Sequence, residues 1–349
     1  MKEETSTEEF RKIQITGKSS FIVSVPKKWV TKLALKPGDQ IAVKTFDDYS
    51  ILLTPKRFME KAGRKEAQIT VSAEDNIQSI IRRIISYYLI SYNVIRVKSK
   101  EGPLTPLQRA SIKDAIRRKL MGAEVVTESS DEVVIQILIG HPELSVQNAL
   151  MRMFTIASLM HKDAITALKN IDKEIARSII ATDDEVDRFD LYIVRLLKTA
   201  IQDSRFMKEA GLKNLRECLG YRLATRSLER VADHSVKIAE NILFLEKPIN
   251  DLVYQKILEY NSSASKLLED SINALLNENY NMADKLMSRV GEVSALEKSI
   301  VEGILKQKFD IKTTSSLRLI LESSKRIAEC SEDIVEATLN RTVEKTSKM

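Results

Sequence analysis

The chain has 349 residues, of which 43% are hydrophobic, 30% charged and 5% aromatic, and its formal net charge is +6 at pH 7. That balance excludes a disordered chain, and the length fits two or three domains. No stretch reaches the ~20 apolar residues of a membrane helix, and Met1 to Phe10 is polar with four Glu, so a cytoplasmic protein without a secretory leader is expected.

In chain order, residues 11–57 read as strand, strand, short helix, strand, strand. Ile13-Gln14-Ile15 alternates, Gly17 to Ser20 is a turn, and Phe21 to Val25 is strand-like. Pro26 suits the first turn of a short helix whose apolar side is Trp29, Val30 and Leu33, with Trp29 in the core. Lys36-Pro37-Gly38-Asp39 is a turn, and Ile41 to Val43 and Ile51 to Leu53 flank another at Asp47-Asp48. A segment this short cannot bury a core alone. From Arg11 to Lys36 it carries seven basic residues, Arg11, Lys12, Lys18, Lys27, Lys28, Lys32 and Lys36, and no Asp or Glu. A one-signed patch attracts phosphate, so duplex DNA is the expected partner, through Arg11, Lys12, Lys18, Lys27 and Lys28. Arg11 and Arg57 are the only arginines of the segment, which limits bidentate base reading and leaves lysine contacts to phosphate.

The segment also resembles the AbrB/SpoVT-type swapped-hairpin DNA-binding domain. Gly17, the Ser24-Val25-Pro26-Lys27 lead-in, the Leu35-Lys36-Pro37-Gly38-Asp39 turn and Leu52-Leu53-Thr54-Pro55 carry the likeness. It implies that two chains interleave hairpins into one β-barrel, hence a homodimer or higher.

Residues 58–66 read as a charged linker or short helix. Strands are then predicted at 67–71, 94–97, 123–127 and 133–139, and helices at 77–89 and 106–120, a small α/β sandwich. Arg109, Lys113 and Arg117 form a basic stripe at i, i+4 and i+8, read as a solvated helix face.

From Pro142 the chain is helix after helix, with breaks near Gly211, Lys247-Pro248 and Phe309. It is also an internal repeat. His161 to Leu168 aligns with Leu268 to Leu275 at an offset of 107, and Arg230-Val231-Ala232-Asp233 aligns with Arg326-Ile327-Ala328-Glu329 at 96. Each half therefore has three helices, over 142–247 and 248–349. The domains are thus 1–57, 58–141 and 142–349. Cys218 and Cys330 are too few for a disulfide framework and are expected to pack as small apolar residues.

Two acidic pairs stand out, Asp183 with Asp187 and Glu229 with Asp233, each four apart on a helix without Gly or Pro. One reading is a salt-bridged surface, with Arg226 and Arg230 neutralising Glu229 and Asp233. The other is a metal site, since hard cations take several oxygens. In the second half the four positions become Val290, Ser294, Lys325 and Glu329, so a metal site belongs to the first repeat only. His234 suits a ligand or a hydrogen-bonded structural histidine equally.

The run Leu228-Glu229-Arg230-Val231-Ala232-Asp233-His234, followed by Ile238 to Asn241, and the upstream Asp183-x-x-x-Asp187 resemble PhoU-type phosphate-uptake regulators over roughly 143–345. The resemblance implies tandem three-helix bundles and a metal site at Asp183, Asp187, Glu229 and Asp233 for iron, zinc or magnesium. It also implies contact with a phosphate transporter, such as its ATPase, or with a signalling partner. No Glu-x-x-His pair, phosphate-binding glycine loop or nucleophile constellation is present, so an enzyme is not expected. The combined expectation is a DNA-binding transcriptional regulator of phosphate uptake. Its alternatives are a transporter adaptor dimerised by the N-terminal barrel and a metal-binding scaffold.

Overall fold

The structure is a computed structural model and describes residues 9–17, 20–45, 49–57, 65–138, 142, 144–307 and 309–346. The chain divides into two compact units, 1–63 and 64–349.

The first unit holds two separate hairpins and a helical turn. β1 (Ile13–Thr16) pairs antiparallel with β2 (Ser20–Val23), and β3 (Ile41–Thr45) with β4 (Ile51–Pro55). Between them lies α1 (Lys27–Lys32), which buries none of its residues. Pro26 sits at the N-cap, one residue before the predicted first turn, because its extended ψ of 132° ends the strand-like run rather than starting the helix. Trp29, expected in a core, is only half-buried, because this unit of the single chain has no core to receive it. Ile13, Ile15 and Phe21 remain 71%, 69% and 69% exposed, and Val43 and Ile51 64% and 63%. Lys18, the Asp47-Asp48 turn, the 58–64 segment, Ile139 and His141 lie outside the described residues.

The second unit begins with a two-layer α/β sandwich. Its sheet runs β5 (Glu66–Val71), β6 (Val94–Ser99), β8 (Glu132–Ile137), β7 (Ala123–Glu128), with β5 and β6 parallel and the other pairs antiparallel. α2 (Ile77–Leu89) and α3 (Pro106–Lys119) cover one face. Strand alternation does this: Ile69, Val71, Ile95, Val97 and Ile135 turn inward to Ile80, Ile84, Tyr88, Ile112 and Ile116. Gln68, Thr70 and Lys98 turn outward. Asn76 caps α2, and Thr105 with Gln108 closes a capping box on α3.

The rest is helical. α4 (Val146–Asn170), α5 (Lys173–Gln202) and α7 (Glu217–Phe244) form the first repeat, with the short α6 (Ser204–Glu209) between the last two. α8 (Asp251–Leu276), α9 (Tyr280–Leu305) and α10 (Ile311–Thr346) form the second. The repeat is visible in the backbone. The turn joining the first two helices of each half holds one residue in the left-handed region, Ile171 at φ 54° and Glu278 at φ 51°. The next helix is then capped by Asp172 in one half and Asn279 in the other. The third helices, α7 and α10, share the most extensive contact, and one continuous core joins both halves. Across the first helices, buried His161 bonds Asn261 at 2.7 Å and Ser265 at 3.1 Å. Cys218 and Cys330 are buried thiols, as expected.

Arg341, near the end of α10, ties the halves together. Its guanidinium donates to Glu217 and Glu278, both at 2.9 Å, and to Tyr221 Oη at 3.0 Å, with only 8% of the side chain exposed. Arg341→Met removes the cation and leaves two nearly buried carboxylates. A loss of about 3–5 kcal/mol is expected, read as a lower urea midpoint. Adding Glu217→Gln should recover part of it, and an unchanged midpoint in the single variant would contradict this role.

Candidate functional site

The two acidic pairs lie on facing helices. α5 presents Asp183, Asp184, Asp187 and Asp190, and α7 presents Glu229 and Asp233 with Arg222 and Arg226. The apolar stripes that bury Val186 and Ile193 on α5, and Leu228, Val231 and Ile238 on α7, fix this registry, because the acids flank those stripes.

The carboxylates sense one another across the pair. Burial, then Asp233, pushes the Glu229 carboxyl up to about 7, against the pull of Arg226. Burial, then Asp187 and Asp233, pushes Asp183 up to about 6. Asp190 is raised by burial although Arg222 opposes it, and Asp233 is raised by burial with Lys237 opposing. All four residues of the predicted set thus share one electrostatic field. They are not gathered as ligands around a point: no group of three or more His, Cys, Asp or Glu among the described residues is so arranged.

Internal cations occupy part of the face. Arg222 donates to Asp190 at 3.0 Å, and Arg226 donates to Glu229 Oε1. Glu229 Oε2 is buried with no hydrogen-bond partner. Arg230, which spacing sets beside Asp233, instead bonds Asp333 on α10 at 3.1 Å, because its side of α7 faces the second repeat. Two cations come from elsewhere in the chain. Lys119 Nζ lies 3.4 Å from Asp187, and Arg118, bound to Asp114 at 2.9 Å, lies 3.5 Å from Asp184. Sequence reasoning missed both, since they stand in the last turn of α3, on a different element from the acids they meet. Of the stripe beside them, Lys113 pairs with Glu128 at 3.1 Å.

His234 stands apart from the acids. Its Nδ1 is buried without a partner, and burial, then Lys237, Arg230 and Arg326, pushes its pKa down to about 4. It is a neutral imidazole among cations at the seam of the two repeats. At the corresponding place in the second repeat, Val290 is buried, and Lys325, standing where Glu229 stands in the first, pairs with Glu297 at 3.5 Å.

In the first unit, Arg11, Lys12, Lys27 and Lys28 are exposed, and Arg11 pairs with Glu9. The turn after α1 is pinned by the Lys36 amide donating to Asp39 Oδ2 at 2.8 Å, with Gly38 at φ 95°.

The architecture is that of a tandem helical-repeat protein bearing an N-terminal swapped-hairpin-type strand domain. The chain belongs to the PhoU domain family, whose model matches residues 150–242 and 257–338. Residues 14–61 match the family described as antidote-toxin recognition MazE, bacterial antitoxin. A phosphate-specific transport system accessory protein PhoU homolog from Clostridium acetobutylicum is 24% identical over 194 residues, 54% of this chain and 87% of that protein. A PhoU homolog 1 of the same description from Thermotoga maritima is 27% identical over 154 residues, 43% of this chain and 63% of that one. The crystal structure of PhoU from Pseudomonas aeruginosa is 19% identical with a TM-score of 0.49, covering 56% of this chain and 95% of its own.

Proposed function

We propose that this chain is a DNA-binding transcriptional regulator of phosphate transport. The relatives of its helical repeats carry names from phosphate-specific transport. The observation that carries the rest is the union, in one chain, of those repeats with a basic strand unit whose apolar strands lie open. Exposed Ile13, Ile15, Phe21, Val43 and Ile51 suit strands that a second copy covers, and a dimer doubles the exposed Arg11, Lys12, Lys27 and Lys28. Lys18 belongs to the same proposed DNA contact by its place in the basic run. The bundle is the sensor half, which reports phosphate status through a transporter ATPase or a signalling partner. No helix among the described residues is long and apolar enough to cross a membrane, which supports a cytoplasmic regulator.

We also infer that the acidic face takes a hard or borderline cation such as iron, zinc or magnesium through Asp183, Asp187, Glu229 and Asp233. The donor set fits in kind, being all oxygen and drawn from two helices. The buried, unpartnered Glu229 Oε2 and the raised Glu229 and Asp183 carboxyls support it, because a cation relieves both. The open strands equally support a second reading, a transporter adaptor that uses the N-terminal unit only to dimerise.

Sedimentation of the full chain tests the premise that both readings share. A dimer or higher is expected, and Phe21→Asp with Ile51→Asp should yield monomers with the helical content unchanged. A monomeric wild-type protein at micromolar concentration would overturn both.

A further inference from the structure

The first helices of the two repeats, α4 and α8, leave an open groove of about 520 Å³ between them. Ile165 is buried and Phe154 and Leu258 are half-buried, which makes these three its apolar floor. Lys162 from one repeat, and Ser262 and Lys266 from the other, are exposed at its mouth. An apolar floor with a few convergent polar groups, at this volume, is the make-up of a small-molecule site. Lys162 has no ion-pair partner among the described residues. Lys266 lies 3.2 Å from Glu269 and 3.1 Å from Asp270, which Arg289 also serves, and it keeps 55% of its side chain exposed.

Three serine hydroxyls of the groove are left for a ligand. Thr155, Thr166 and Ser263 turn theirs back to the carbonyl four residues earlier, where a helical hydroxyl usually rests. Ser158 and Ser262 make no such bond among the described residues. Ser265 is committed differently. Asn261 Nδ2 donates to Ile257 O at 2.8 Å, which turns Asn261 Oδ1 to His161 Nε2 as an acceptor. Burial pushes the His161 pKa down, so the ring is neutral, its one proton sits on Nε2, and Nδ1 accepts from Ser265 at 3.1 Å. Ser265 Oγ then has only lone pairs to offer and stands in the groove as a fixed acceptor. The repeat does not impose this polar chain, because at the offset of 107 Asn261 corresponds to Phe154 and His161 to Leu268.

We propose that the groove between α4 and α8 binds a mononucleotide whose base carries an exocyclic amine. The base lies against Phe154, Ile165 and Leu258, its amine donates to Ser265 Oγ, and the ribose hydroxyls meet Ser158 and Ser262. The phosphate lies between Lys162 and Lys266. Free phosphate would leave the apolar floor and the Ser265 acceptor without a partner, and an uncharged apolar molecule would leave both lysines without one. Because the two walls belong to different repeats, a bound nucleotide holds the halves together across their first helices and stabilises that seam. The proposal stands apart from both the DNA and the cation readings.

The test uses the full chain in titration calorimetry, with AMP, GMP and CMP as probes beside inorganic phosphate alone. At least one of the three nucleotides should bind, about tenfold or more tighter than inorganic phosphate. Ser262→Trp, which fills the groove from an exposed position, should abolish that binding with the helical content unchanged. Lys162→Glu should weaken it about tenfold, since it removes one exposed charge contact and adds a repulsion. Lys285→Glu, the same charge change on α9 outside the groove, should leave it as in wild type. The bound nucleotide should also slow amide exchange over 154–166 and 258–269. Absence of binding by all three nucleotides overturns the proposal. So does inorganic phosphate that binds as tightly as they do, or nucleotide binding that either Ser262→Trp or Lys162→Glu leaves at the wild-type level.

Discussion

Lys27→Glu with Lys28→Glu should reduce affinity for duplex DNA by at least about a hundredfold at low salt, while the wild type loses about 10³-fold or more between 50 and 200 mM salt. The two lysines stand exposed in the first turn of α1, in a run from Arg11 to Lys36 that contains no acid. Each glutamate both removes a phosphate contact and repels one, and a dimer carries every change twice. The fold should tolerate the exchange, because acidic residues in the first turn of a helix oppose its exposed amides favourably. Loss of binding could therefore not be blamed on unfolding, and an unchanged far-ultraviolet spectrum would establish that directly. Fluorescence anisotropy against salt checks both expectations. Binding that is indifferent to salt and to the double reversal would remove the DNA-contacting role of this segment and leave dimerisation as its use.

Asp187→Asn with Asp233→Asn should take bound metal from stoichiometric to background in protein purified without chelator. Glu292→Gln with Glu329→Gln, a control pair of acidic residues from the second repeat, should leave it intact. The first pair removes one carboxylate from each of the two facing helices, and what remains, Asp183 and Glu229, is too small a set for a hard cation. The second pair changes a region where Lys325 and Arg326 already serve Glu297 and Glu329. The metal-free double Asn variant should not be less stable than metal-free wild type, because Asp187 and Asp233 are among the charges that raise Asp183 and Glu229. Equal metal in all three proteins, or none in wild type after reconstitution, would return the acidic pairs to a salt-bridged surface.

Much of this architecture was legible because it is periodic. The offsets of 107 and 96 reappear in the family matches, which begin at 150 and 257 and end at 242 and 338. The offset of 107 reappears again in the left-handed turns at Ile171 and Glu278. The four acidic residues were legible for the same reason, since i, i+4 spacing fixes a helix face whatever the tertiary structure. Their partners were not. Lys119 and Asp187 are 68 residues apart on different elements, and nothing in the local pattern of either announces the other. The spacing that set Arg230 beside Asp233 failed because α7 has a second neighbour, α10, whose Asp333 lies nearer. Trp29 was misplaced for a different reason: an apolar side chain on a helix signals a partner surface without saying whether the same chain supplies it.

The central claim, a regulator that answers phosphate by binding DNA, is tested most directly by mapping genome-wide occupancy of the full chain in phosphate-replete and phosphate-starved cells, beside the Lys27→Glu, Lys28→Glu variant. Discrete sites near genes of phosphate transport, occupied in one condition, depleted in the other and absent from the variant, are the predicted result. Occupancy no higher than background in both conditions, or a pattern that neither phosphate nor the variant alters, would contradict it.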